Sequence, residues 1–198
     1  MTRRVAWAAV AVFVVAFVGF ACTGTGQRLD NRIWGWTTGS LSRDTQAVIS
    51  FAVRRIVPVV AGVILLLHSL IRRSSHLLLV GVVAWAVTTG AAFVLREVLP
   101  RPILGDNGGK PINSYPSTHV ALAVTPIIVL LLLGAVRREL QALYGLVVVG
   151  VMLGNTMLLV HRFSDGIGSV ALAVVIASLI GALSYFMNRR RDRHTWRR

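Results

Sequence analysis

The chain holds one cysteine, Cys22, so no intramolecular disulfide can form. Acidic residues are scarce, seven Asp and Glu against 21 Lys and Arg, and charged residues make up only 14% of the total. A soluble domain of 198 residues would carry more charge than this. Lysine is almost missing: Lys110 stands alone, and every other basic side chain is arginine. That bias by itself carries no functional message. Internal repeats and low-complexity linkers are missing too, so one domain is expected over residues 1–188, with a basic tail over 189–198.

What the chain does have is apolar sequence: 55% hydrophobic residues and a mean hydropathy of +0.71, gathered in runs too long for a globular interior. A membrane-crossing helix needs about 20 mostly apolar residues. Six segments fit, 5–22, 48–70, 77–95, 117–136, 141–161 and 166–187, and predict an all-α bundle of six transmembrane helices. The second is the least clean, because Arg54 and Arg55 interrupt its first third. Residues 23–47 and 96–116 read as the longer hydrophilic connections. The start "MTRR…VGFAC" has the look of a lipoprotein or secretory signal, but Gly19 and Phe20 fit a lipoprotein cleavage box poorly. An uncleaved first helix is expected.

A net charge of +14 could suggest nucleic acid, but there is no soluble module to bind it, and the arginines cluster between apolar runs. Such clusters follow the positive-inside rule. With both termini in the cytoplasm, the inner pieces carry twelve Arg and the outer pieces nine Lys and Arg. The expected location is the plasma membrane. The basicity left on the outer side fits either ordinary pairing with acids and headgroups or an anion site.

On that side the ends of spans three to six converge. "FVLREVLPRP" delivers Arg96 and Arg101; "YPSTH" delivers Ser117, Thr118 and His119; "LLVHRFSD" delivers His161 and Asp165. Pro116 suits the first position of a helix. The residues after it offer unpaired N–H groups and the positive end of the helix dipole to a phosphate. Arginine forks match phosphate oxygens. A His four residues before an Asp can be held in one tautomer, leaving its other nitrogen as a nucleophile. A second His suits a general acid. Each piece also has a plainer use: Ser164 and Asp165 could cap the sixth span, and Arg96 could be a snorkelling flank residue.

Taken together, "YPSTH" and His161-x3-Asp165 resemble the type 2 phosphatidic acid phosphatase superfamily, relatives of bacterial acid phosphatases and vanadium haloperoxidases. Its motifs are Lys-x6-Arg-Pro, Pro-Ser-Gly-His and Ser-Arg-x5-His-x3-Asp. The resemblance implies a membrane phosphatase acting on a lipid phosphate, or on a polyprenyl phosphate or diphosphate, at the extracytoplasmic face. It implies His161 as phosphohistidine nucleophile, Asp165 as its orienting partner and His119 as proton donor. Arg96 takes the place of the family's Lys, and Ser117, Thr118, Arg101 and Asn155 are the further phosphate-binding candidates. Neither a metal nor another cofactor is implied.

Three departures stand out. Arg101-Pro102 falls two residues earlier than the first motif asks, Thr118 replaces Gly, and Gly154-Asn155 replace Ser-Arg. Losing one charged donor to a phosphoryl transition state costs about 2.7–4 kcal/mol, or ~10²–10³ in rate. Arg54, Arg55, Arg101, Lys110 and Arg162 are the cations that could replace it; Lys110 and Arg162 are also possible substrate contacts, Arg162 first as a surface or headgroup contact. Loop 103–116 reads as a flexible connection or a lid. The other functions open to these residues are headgroup transfer through the same phosphohistidine, and binding or transport of anionic lipid without catalysis.

Overall fold

The computed structural model of the chain describes residues 3–102, 104, 114–134, 136–157 and 161–195. Among these, every regular element is helical. Helix α1 (Arg3–Ala16) runs on through a π turn, Phe17–Ala21, and is followed by α2 (Gly24–Gly39). Then come α3 (Arg43–Phe51), a second π turn (Ala52–Ile56) and α4 (Val57–Ile71). The rest is α5 (Ser75–Val98), α6 (Thr118–Leu133), α7 (Arg138–Thr156) and α8 (Phe163–Thr195).

Capping serines and threonines fix several starts. Thr23, Ser42, Ser74 and Ser117 have side-chain oxygens that accept backbone N–H groups in the first turns of α2, α3, α5 and α6. The π turn before α4 has a local cause in Pro58, which lacks an N–H and crowds the carbonyl one turn back. Widening that turn keeps Arg43–Ile71 a continuous 29-residue helix.

Among the described residues, five helical segments are long and apolar enough to cross a membrane by length and composition: Arg4–Ala21, Arg43–Ile71, Ser75–Val98, Arg138–Thr156 and Phe163–Met187. The expected segment 117–136 is shorter. Helix α6 has 16 residues and closes at Gly134, giving about 24 Å at 1.5 Å per residue. It is also the central helix, packed by α4, α5, α7 and α8. Apart from Leu122, every residue from Val120 to Leu130 is buried. A helix that is apolar on all sides belongs in such a place.

Small residues let the helices close on one another. A Cβ on Gly81 would lie 2.7 Å from a methyl carbon of Leu65, and one on Gly154 equally close to Val53. Such contacts carry helix association where lipid removes the hydrophobic drive.

The hydrophilic connection over 23–47 is itself helical: it is α2 followed by the start of α3. Gln27, Asp30 and Thr37 on α2 are buried against the ends of other helices. Its first turn sits so close to the preceding π turn that a Cβ on Gly26 would overlap the Gly19 carbonyl.

The bundle has two polar ends. At one, His68 Nε2 lies 2.9 Å from the Gly134 carbonyl, and His76 contacts Ser184. The other end gathers α2, the start of α6 and the residues around His161.

Candidate functional site

The start of α6 is stitched to the start of α8. Ser117 N–H donates to the Asp165 carbonyl at 3.2 Å. The Ser169 hydroxyl lies 2.8 Å from the Ser117 carbonyl and 2.7 Å from that of Asp165. Pro116 therefore precedes the cap rather than opening the helix, because Ser117 takes the N-cap position. Tyr115 locks this segment down from the other side. Its hydroxyl donates to the Phe13 carbonyl at 2.6 Å, and its ring lies against Gly168, where no side chain would fit.

This stitching brings the two histidines together. The rings of His119 and His161 stand edge to face with centroids 5.6 Å apart. His161 is buried, and its Nδ1 lies 3.4 Å from Asp165 Oδ2, at ion-pair distance but out of hydrogen-bonding alignment. The Nε2 edge of that ring faces the other way. Neither His119 Nδ1 nor His161 Nδ1 has a hydrogen-bond partner among the described residues.

Asp165 is fully buried and held on both oxygens. Oδ2 accepts the Ser114 hydroxyl at 2.6 Å and the Arg162 N–H at 2.8 Å; Oδ1 accepts Arg101 at 3.1 Å. Behind it stands a second buried carboxylate that the sequence reading missed, Asp30 of α2. Arg101 reaches this too, at 3.7 Å. Burial, with the Asp165 charge adding to it, raises Asp30 above the ordinary carboxyl range against the pull of Ser164 and Arg101. The signal for α2 was present: Gln27, Asp30, Asn31, Trp34 and Thr37 recur at helical spacing. It was easy to overlook because the repeating face is mostly polar.

The other site candidates separate into distinct places. Arg101 serves the carboxylate pair. Arg162 is taken up by α2, its Nε donating to Asn31 at 2.7 Å and its guanidinium lying 4.7 Å from the centre of the Trp34 ring. Ser117 is used twice, accepting from Val120 N–H and donating to Asn155 Oδ1 at 3.1 Å. That leaves the Asn155 Nδ2 amide buried and without a partner among the described residues. Thr118 and His119 occupy the first turn of α6, where N–H groups have no acceptor within the helix. Arg96 pairs with Glu97 at 3.2 Å and covers Phe93. Lys110 and most of loop 103–116 lie outside the described residues.

Two of the candidate replacement cations, Arg54 and Arg55, lie on the π turn before α4, which packs on α6 and α7. The site thus has two layers: a histidine pair with arginines and an orphaned amide at the front, and a carboxylate–arginine cluster behind. Among the described residues no group of three or more His, Cys, Asp or Glu side chains could hold a metal ion. Comparison with family models, curated proteins and solved structures finds no match to this chain.

Proposed function

We propose that the chain is a six-span membrane hydrolase that removes phosphate from a lipid phosphate, or from a polyprenyl phosphate or diphosphate. The observation that carries this reading is the histidine pair: two rings 5.6 Å apart, one backed by a buried Asp, beside a buried amide donor with no partner among the described residues. Buried donors are normally satisfied, and an anion's oxygens would satisfy these.

In the first step His161 Nε2 attacks phosphorus. The N–P bond forms as the P–O bond to the lipid breaks, and His119 gives its proton to the departing oxygen. Asp165 holds the Nδ1 side of His161 and stabilises the positive charge the ring acquires. In the second step a water loses its proton to His119 and attacks phosphorus. The N–P bond breaks, phosphate leaves, and both histidines return to their starting states. Arg96, Asn155 and the first N–H groups of α6 bind the phosphoryl oxygens as negative charge builds on them.

Helix α6 serves as the remaining span. Its shortness is tolerated because neighbouring helices shield its ends from lipid. The end opposite the histidines carries Arg72, Arg73, Arg137 and Arg138, so the positive-inside rule puts that end in the cytoplasm and the site outside. The test is phosphate release by purified protein from a panel of lipid phosphates and polyprenyl diphosphates. Release is expected from the wild type and not from His119→Ala or His161→Ala. Full activity in His161→Ala would remove the mechanism.

A further inference from the structure

Arg54 and Arg55 sit where arginine is costly, twelve and thirteen positions into the apolar helix Arg43–Ile71. Charged residues in such a place are functional candidates by default. Neither has a hydrogen-bond or ion-pair partner among the described residues. Both side chains are exposed, while the π turn that carries them packs on both α6 and α7. Val53, its buried residue, is pressed against Gly154 on the last turn of α7.

That contact bears directly on Asn155, the next residue along α7. Asn155 is the neutral residue where the resembled family has arginine, and Gly154 stands where that family has serine. Any side chain at 154 would push the π turn away: even a Cβ comes within 2.7 Å of Val53 Cγ2 and 3.1 Å of Ile49 Cγ2. The bare backbone at 154 therefore admits the neighbouring helix to the site, and with it the two arginines. Other replacements for the missing charge are engaged elsewhere: Arg101 with Asp165 and Asp30, Arg162 with Asn31 and Trp34. Both arginines lie on the π turn that packs on α6, the helix whose first turn carries His119, and Arg54 directly follows Val53.

We propose that Arg54, brought in over Gly154, is the cation that binds the substrate's phosphoryl oxygens beside the Asn155 amide, with Arg55 in a supporting place. This rests on the hydrolase reading but can fail separately from it. The ligand chemistry is a phosphate monoester or diphosphate, whether on the substrate or on a bulk anionic lipid. The test is done in zwitterionic micelles free of anionic lipid, so only the first source is present.

Two readouts are taken on wild type, Arg54→Ala, Arg54→Lys, Arg55→Ala and the double variant Arg54→Ala/Asn155→Arg, each checked for unchanged thermal unfolding. These are kcat/KM for phosphate release from the best lipid phosphate, and titration-calorimetry binding of inorganic phosphate. Arg54→Ala should lose ~10²–10³ in kcat/KM and lose phosphate binding, with Arg55→Ala less affected. Arg54→Lys should recover part of the loss, and Asn155→Arg should rescue Arg54→Ala by returning the charge from the other helix. A headgroup-anchoring arginine would show no such rescue. Wild-type turnover and phosphate binding in Arg54→Ala would overturn the arginine's role and leave the hydrolase reading standing. If wild type binds phosphate but hydrolyses nothing, and Arg54→Ala does not bind, the hydrolase reading falls and the arginine's role stands.

Discussion

Asp30 and Ser164 are joined twice: the buried Asp30 carboxylate accepts the Ser164 backbone N–H at 3.1 Å and its hydroxyl as well. The pair ties α2 to the first turn of α8, one residue before Asp165. Asp30→Ala would leave a buried N–H and a buried hydroxyl unsatisfied, at about 1–3 kcal/mol for each group lost. The expected outcome is a clearly lower unfolding temperature in detergent, with a smaller drop for Ser164→Ala, which keeps the backbone contact.

The same carboxylate gives a pH dependence. Burial, then the Asp165 charge, raises Asp30 above the ordinary value of 3.8. A group with a raised folded-state pKa contributes its full stability below the unfolded value and loses it as pH rises through the folded value. Asp30→Asn stays neutral at every pH and keeps an oxygen for Ser164. Its stability relative to wild type should therefore improve as pH rises from below 3.8 toward neutrality. A difference that stays flat across that range would mean that Asp30 folds with an ordinary pKa.

Arg101 is the cation shared by two buried carboxylates, 3.1 Å from Asp165 and 3.7 Å from Asp30. Removing it alone, as Arg101→Met, leaves their charges uncompensated and should destabilise by about 3–5 kcal/mol. Neutralising Asp30 as well, in Arg101→Met/Asp30→Asn, should return part of that loss. A double-mutant cycle on chemical unfolding measures the coupling; additive effects would separate Arg101 from Asp30 energetically.

Val53 on the π turn leaves no room for a Cβ at Gly154 on α7, where one would come within 2.7 Å of Val53 Cγ2. Gly154→Ala should cost about 1–3 kcal/mol by overpacking. Trimming the partner, in Gly154→Ala/Val53→Ala, should recover stability relative to the sum of the two single changes. Thermal unfolding of the four proteins checks this.

How far the site could be read in advance depended on where its residues lie in the chain. His119, His161 and Asp165 stand at or just beyond the ends of apolar runs, so hydropathy alone brings them to one level. Their meeting at one end of the bundle needed only that the runs alternate in direction. Asp30 could not be found that way. Its partners, Ser164 and Arg101, are distant in sequence, and a polar docking face on α2 looks like a surface segment. The use of Arg162 was hidden for the same reason, since its partners Asn31 and Trp34 are on α2, and so was the second carboxylate partner of Arg101.

The fold shows a similar division. Long apolar runs marked the helices, but not where they stop. The end of α6 at Gly134 and the continuation of α3 through the π turn into α4 depend on local backbone chemistry at Gly134 and Pro58. Arg54 and Arg55 looked like blemishes in a span. Only the packing of Val53 on Gly154 sets the π turn that carries them beside the end of α7.

The most direct measurement of the central claim is trapping of the phosphoenzyme. Wild-type protein is mixed with a lipid phosphate labelled on phosphorus, quenched within a turnover, and mapped by peptide. An acid-labile, base-stable label on the peptide containing His161, absent from His161→Ala, is the predicted result. Turnover of the same substrate with no label on His161, or with undiminished rate in His161→Ala, would contradict it.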